Sequence, residues 1–298
     1  MSGHGNEPVA IITGATSGVG LATARALLER GFSLGLVGRS EERLRATLQG
    51  LTTSPGVQVR AFQADLTSRS DLARLATELR AAYPRVQVLV NNAGAVFFRR
   101  RVSADGVEHT YALNVLAPFF LTQALLPALR AAAPSRVVNV ASAAYATGRL
   151  ELDDLERARH YGGWGAYSQS KLGLILLTAE FARREPDRSV TFNACHPGFV
   201  RSRFGQGNGW LASGAIRFLS TIAGISPSRG ARVVVFLATS PDVASLTGGY
   251  YVVDRARSLP PKATDPTSAA ALWLAAEART AAISDRSAAH LVSGARIT

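Results

Sequence analysis

The chain has 298 residues, 47% hydrophobic and 18% charged, enough to bury a sizeable core. Its 33 basic residues against 21 acidic ones leave a net charge of +12, yet only Lys171 and Lys262 are lysines, and the arginines are scattered along helices rather than gathered on one face. Apart from the short run FFRRR at 97–101 no basic stretch stands out and no recognition motif accompanies it, which argues against a nucleic-acid partner.

The lone Cys195 rules out an internal disulfide, and with no base implied beside it a buried, unreactive thiol in a reducing, cytoplasmic compartment is expected. No segment approaches the roughly 20 apolar residues of a membrane-crossing helix. The opening MSGHGNEP is too short and polar for a signal peptide, so a soluble protein is expected.

In chain order, strands are expected at 8–13, 33–38, 57–62, 87–91, 135–141, 189–195 and 248–253. Helices are expected near 18–30, 40–50, 69–83, 104–130, 165–184, 209–223 and 228–239. The first unit, VAIITGATSGVG, runs from the apolar stretch Val9 to Ile12 through Thr13 to Gly14, Gly18 and Gly20, then into a helical pattern ending at Gly31. Strand, glycine-rich turn and helix in that order let backbone approach a pyrophosphate and face it with free N–H groups. The glycine spacing is G-x-x-x-G-x-G, which differs from the dinucleotide fingerprint G-x-G-x-x-G.

The second strand, in SLGLVGRS, ends at Arg39, where binders of the non-phosphorylated dinucleotide carry an acid for the ribose. A guanidinium fork there suits a 2′-phosphate and points to NADP(H). Arg43 follows one helical turn later.

Alternating strands and helices with one such fingerprint predict a single doubly wound α/β domain over 1–255, with a seven-stranded parallel sheet and helices on both faces. The remainder, 256–298, reads as a linker, a short helix AAALWLAAEART and a tail disordered from about 284.

Tyr167 and Lys171, in YSQSK, sit at i and i+4 and so share a helix face. A free phenol titrates near 10, and a fixed ammonium beside it would stabilise its phenolate, making an acid–base pair able to pass a proton to a carbonyl oxygen.

Taken together, six stretches in this order resemble the short-chain dehydrogenase/reductase family. TGATSGVG looks like its cofactor loop, which implies contacts from Gly14, Ser17, Gly18, Val19 and Gly20. Asp65 and Leu66 in FQADL fall on the family's adenine-contacting pair, and NNAG, with Asn91, Ala93 and Gly94, on the motif that closes over the adenosine ribose. Asn114 in YALNVLAPF and Ser142 in RVVNVASAAY fall on its catalytic asparagine and serine, ahead of Tyr167 and Lys171. HPGFVRS matches the segment after the sixth strand, with Pro197, Gly198 and Val200 in place and Ser202 where threonine is commoner.

The resemblance implies a Rossmann domain, NADP(H) as cofactor and no metal. It implies Tyr167 as proton donor, Ser142 as second donor to the carbonyl oxygen, Lys171 on the phenol and the nicotinamide ribose, and Asn114 anchoring a proton-relaying water. Residues 149–178 and 194–204 look similar to the retinol-dehydrogenase-like, NADP-dependent branch, whose bacterial members act on varied substrates.

The function expected is reduction of a ketone or aldehyde, with a secondary-metabolite ketone one candidate substrate. A cyclase or isomerase using the same acid–base site, or a cofactor-sensing binding protein, are the other classes considered, since a fold does not fix an activity. The segment 202–227 combines glycines with Phe204 and Trp210 and is expected to form a lid over a bulky, largely apolar small-molecule substrate. Whether the chain is a monomer or a homo-oligomer is left open by the sequence.

Overall fold

The computed structural model describes residues 7–185, 187–198 and 225–293, with side chains through 281. Strand β1 (Val9–Thr13) leads into helix α1 (Gly18–Leu28), then β2 (Ser33–Gly38), α2 (Glu41–Gln49), β3 (Val59–Gln63), α3 (Arg69–Ala82) and β4 (Val88–Asn91). Next come α4 (His109–Tyr111), a π turn at Ala112–Leu116, α5 (Ala117–Ala131), β5 (Ser135–Val140), a 3-10 turn at Ala143–Thr147, α6 (Gly163–Arg184) and β6 (Val190–His196). The chain closes with α7 (Pro227–Thr239), β7 (Tyr250–Val252), β8 (Arg255–Ala256) and α8 (Pro266–Ser293).

The strands form one sheet in the order β3-β2-β1-β4-β5-β6-β7-β8. All neighbours through β7 pair in parallel, and the two-residue β8 adds an antiparallel edge, so the sheet has eight strands where seven parallel ones are expected from sequence. The order reverses at β1 and β4, which opens a crevice beyond their carboxyl ends, the place where sheets of this kind bind ligands.

Parallel strands must be covered on both faces, and the pleat delivers this. Ile11, Leu89 and Val137 point to one side with Phe119, Leu125, Leu176 and Phe192. Ala10, Ile12, Leu36, Val90 and Val138 point to the other with Leu27, Val234 and Leu237.

The α4–α5 run corrects one expectation. His109–Ala131, 23 residues, is by length and composition apolar enough to cross a membrane, where no segment of that kind is expected from the sequence. Most of its apolar window is buried, with Phe119, Leu121 and Leu125 against the sheet.

The C-terminal part also differs from expectation. Helix α8 continues to Ser293, past the point near 284 where a tail was expected. Its Trp273 lies 4.9 Å from Phe119 and 4.6 Å from Phe181, ring centre to ring centre, so this helix shares the principal core. The expected helix 209–223 lies outside the described residues.

Candidate active site

The glycine-rich turn is built by close backbone approach. Gly14 takes φ +66°, a conformation that favours glycine, and a Cβ on Gly20 would stand 2.3 Å from the Gly14 carbonyl oxygen. Ser17 caps α1 without a side-chain hydrogen bond, whereas Ser40 and Ser68 accept from Arg43 N and Asp71 N at the starts of α2 and α3. The first turn of α1, with Gly18, Val19 and Gly20, therefore keeps its N–H groups free of a side-chain cap and carries no acid, as an anion-binding helix start requires.

The NNAG stretch divides its work where β4 ends at Asn91. Asn91 turns under the sheet, donating to Asn139 Oδ1 at 2.8 Å and Thr122 Oγ1 at 3.1 Å, so the amide read as a cofactor contact is part of a buried polar ladder. Its neighbour Asn92 ties the end of β4 to the glycine turn, donating to Thr13 O at 2.8 Å and Gly14 O at 3.2 Å. Thr13 Oγ1 accepts from the N–H of both Asn92 and Ala93 at 3.0 Å.

Gly94 lies exposed beside the next group, where an added Cβ would meet Lys171 Nζ at 3.1 Å and Asn114 Oδ1 at 3.2 Å. Asn114, fully buried in the π turn, accepts from Ala95 N at 3.0 Å and donates to Ala95 O at 3.0 Å and Ser170 Oγ at 2.9 Å. Such turns concentrate at functional sites.

Tyr167, Lys171 and Ser142 converge with Asn114 at the carboxyl end of β5. Lys171 is buried, donates to Val140 O at 2.9 Å, and its Nζ stands 5.7 Å from the centre of the Tyr167 ring. Ser142 caps the 3-10 turn by accepting from Ala144 N at 3.2 Å, and its hydroxyl hydrogen-bonds the Tyr167 phenol.

Burial pushes that phenol up to about 12, and the Ser142 hydrogen bond is the group that pulls it back. Burial also brings the Lys171 ammonium down to about 8, against a smaller upward influence from the neighbouring thiol of Cys195. Cys195 itself is fully buried and pushed up to about 12, which leaves it a poor nucleophile.

Arg39 is exposed at the end of β2; its carbonyl accepts from Gln63 Nε2 at 3.3 Å, and its guanidinium makes no hydrogen bond or ion pair among the described residues. Asp65 accepts from Thr67 N at 2.9 Å and Thr67 Oγ1 at 2.7 Å, and Leu66 is buried. Pro197 and Gly198 follow β6, with Gly198 at φ +86°. Val200, Ser202, Phe204 and Trp210, with most of the 202–227 segment, lie outside the described residues.

The profile of the short chain dehydrogenase family matches residues 8–209. The chain belongs to that family. Among its dehydrogenase relatives is DnrU of Streptomyces sp. (strain C5), named for daunorubicin C-13 ketoreductase activity, 39% identical over 285 residues and covering 95% of each chain. Human retinol dehydrogenase 13 is 35% identical over 274 residues, 88% of this chain and 81% of the relative. A blue fluorescent protein from a metagenomic library, solved in complex with NADPH, superposes with a TM-score of 0.64 at 30% identity, covering 84% of this chain and 97% of that one. The chain is thus an oxidoreductase of the retinol-dehydrogenase-like branch with a Rossmann-type sheet.

Proposed function

We propose that the protein reduces a ketone or aldehyde on a bulky, largely apolar small molecule, using NADP(H). The observation that carries this reading is the convergence of half-buried Ser142 with buried Tyr167, Lys171 and Asn114 beside a glycine turn whose helix start is left open. The ketoreductase and retinol dehydrogenase names of its relatives favour the same chemistry and a sizeable apolar substrate.

The residues present suit the cofactor: free N–H groups at Gly18 to Gly20 for the pyrophosphate, exposed Arg39 for the 2′-phosphate, and Lys171 for the nicotinamide ribose. When bound, the nicotinamide supplies the hydride. The carbonyl oxygen gains negative charge as the reaction proceeds, and Tyr167 and Ser142 meet it with two donors, Tyr167 giving up its proton. Asn114 Oδ1 keeps a second lone pair beside Gly94 and Lys171 Nζ, the place for a water that returns protons to the lysine.

The direct test is NADPH consumption across a panel of aryl, polycyclic and small aliphatic ketones. Turnover of at least one aryl or polycyclic ketone is expected, and a panel without any turnover sinks the reading. Arg39→Ala is expected to weaken NADPH about tenfold to a hundredfold while leaving NADH within about twofold, because a charge-assisted phosphate contact contributes about 1.5–3 kcal/mol. Isothermal titration of both cofactors checks this, and equal affinities of the wild type for the two would refute the NADP assignment.

A further inference from the structure

Trp164 stands one helical turn before Tyr167 on α6, and 53% of its surface is exposed. Its ring centre lies 5.8 Å from that of Tyr167, with the planes inclined at 41°. The indole is also held in place: Nε1 donates to Thr147 Oγ1 at 3.3 Å, and Thr147 Oγ1 in turn shares a 3.1 Å hydrogen bond with Ser168 Oγ.

Thr147 closes the 3-10 turn that follows Ser142, so the indole is oriented by that turn as well as by its own helix. The start of α6 is fixed by close packing, since a Cβ on Gly163 would lie 2.5 Å from Phe97 O and from Phe98 Cα. A large apolar side chain left in water while anchored by its polar atom is pre-arranged to bind: the orienting entropy is already spent and the apolar face remains to be covered.

We infer that Trp164 is the specificity wall of the site and selects carbonyl compounds bearing an aromatic or polycyclic substituent. The inference rests on the carbonyl-reductase reading. A carbonyl oxygen within hydrogen-bond reach of the Tyr167 phenol must project its substituents past the neighbouring groups, and the indole is an exposed apolar surface in contact with that ring. A planar substituent lies against it; a methyl or ethyl group covers little of it.

The test compares wild type, Trp164→Ala and Trp164→Phe on α-tetralone and butanone, with NADPH affinity and melting temperature measured alongside. Wild type is expected to favour α-tetralone. Trp164→Ala should raise KM for α-tetralone about tenfold with kcat held within about threefold and butanone kcat/KM within about twofold, and Trp164→Phe should restore most of the loss, since aromatic contact is what is removed and returned.

Preference of the wild type for butanone overturns the assignment. So does a loss of equal size on both ketones, with or without a lower melting temperature, because it marks the indole as a packing group only. A wild type that consumes NADPH with neither these two ketones nor any member of the wider panel sinks the carbonyl-reductase reading as well, whereas turnover with an unchanged α-tetralone to butanone ratio in Trp164→Ala sinks the Trp164 inference alone.

Discussion

Tyr167→Phe is expected to lower kcat for ketone reduction about a thousandfold, the middle of the range that a positioned general acid contributes. The phenol is buried and its ring packs with Val96 and Ala144, so phenylalanine keeps that packing and removes only the hydroxyl that Ser142 meets. Stability should fall by only about 1 kcal/mol, the net value of one hydrogen bond, and NADPH affinity should stay within about threefold.

Since burial holds the phenol near 12, it carries its proton throughout the neutral range. Reduction should therefore not weaken for want of this proton as pH falls from about 8 to about 6, whereas alcohol oxidation, which needs the phenolate, should quicken as pH rises. Stopped-flow and steady-state rates in both directions check the two statements. A variant that keeps more than about a tenth of wild-type reduction would show that another acid serves the carbonyl.

The strands were legible because a parallel sheet covered on both faces writes itself as short, unbroken apolar runs such as Ala10 to Ile12 and Leu34 to Val37. β8 was not, since two exposed residues pairing at an edge carry no apolar period. The glycine turn was legible because a strand and a helix flank its glycines; the different duties of Asn91 and Asn92 were not, because they depend on Asn91 meeting Thr122 and Asn139 while Asn92 meets Thr13 and Gly14.

Tryptophan posed the same problem in a sharper form. Trp273 falls within an expected helix and Trp164 just ahead of one, yet Trp273 is buried among Phe119 and Phe181 while Trp164 stands over the proton donor, an outcome set by contacts far apart in sequence. The burial that sets the direction of the Tyr167 pKa leaves no trace in the sequence. The i, i+4 spacing suggests that Lys171 lowers it, but an ammonium buried enough to fall to about 8 beside a phenol buried enough to rise to about 12 leaves desolvation in command and Ser142 as the counterweight.

That desolvation makes Lys171 a group whose removal should stabilise the fold while abolishing its chemistry. Its ammonium falls from 10.5 to about 8 on burial, so the folded state holds this proton less tightly than the unfolded chain does. Between those two values the unfolded chain binds more protons, and wild-type stability gained from this group rises with pH across that window; below it the full cost, about 3 kcal/mol, is present.

Lys171→Met removes the charge and keeps the length, leaving the Val140 carbonyl without its donor at a cost of about 1 kcal/mol. In the absence of cofactor the variant should therefore melt higher than wild type at about pH 6.5, by around 4 °C for a net gain of about 2 kcal/mol. The advantage should shrink toward zero by about pH 9.5, where the wild-type amine is already neutral. Turnover should meanwhile drop at least a hundredfold, since the positive charge beside the phenol and the ribose contact are both lost. Calorimetric melts at the two pH values decide the matter: a variant less stable than wild type at the lower one would mean that the buried ammonium is held by interactions strong enough to offset its desolvation, and that Lys171 was placed there at no expense to the fold.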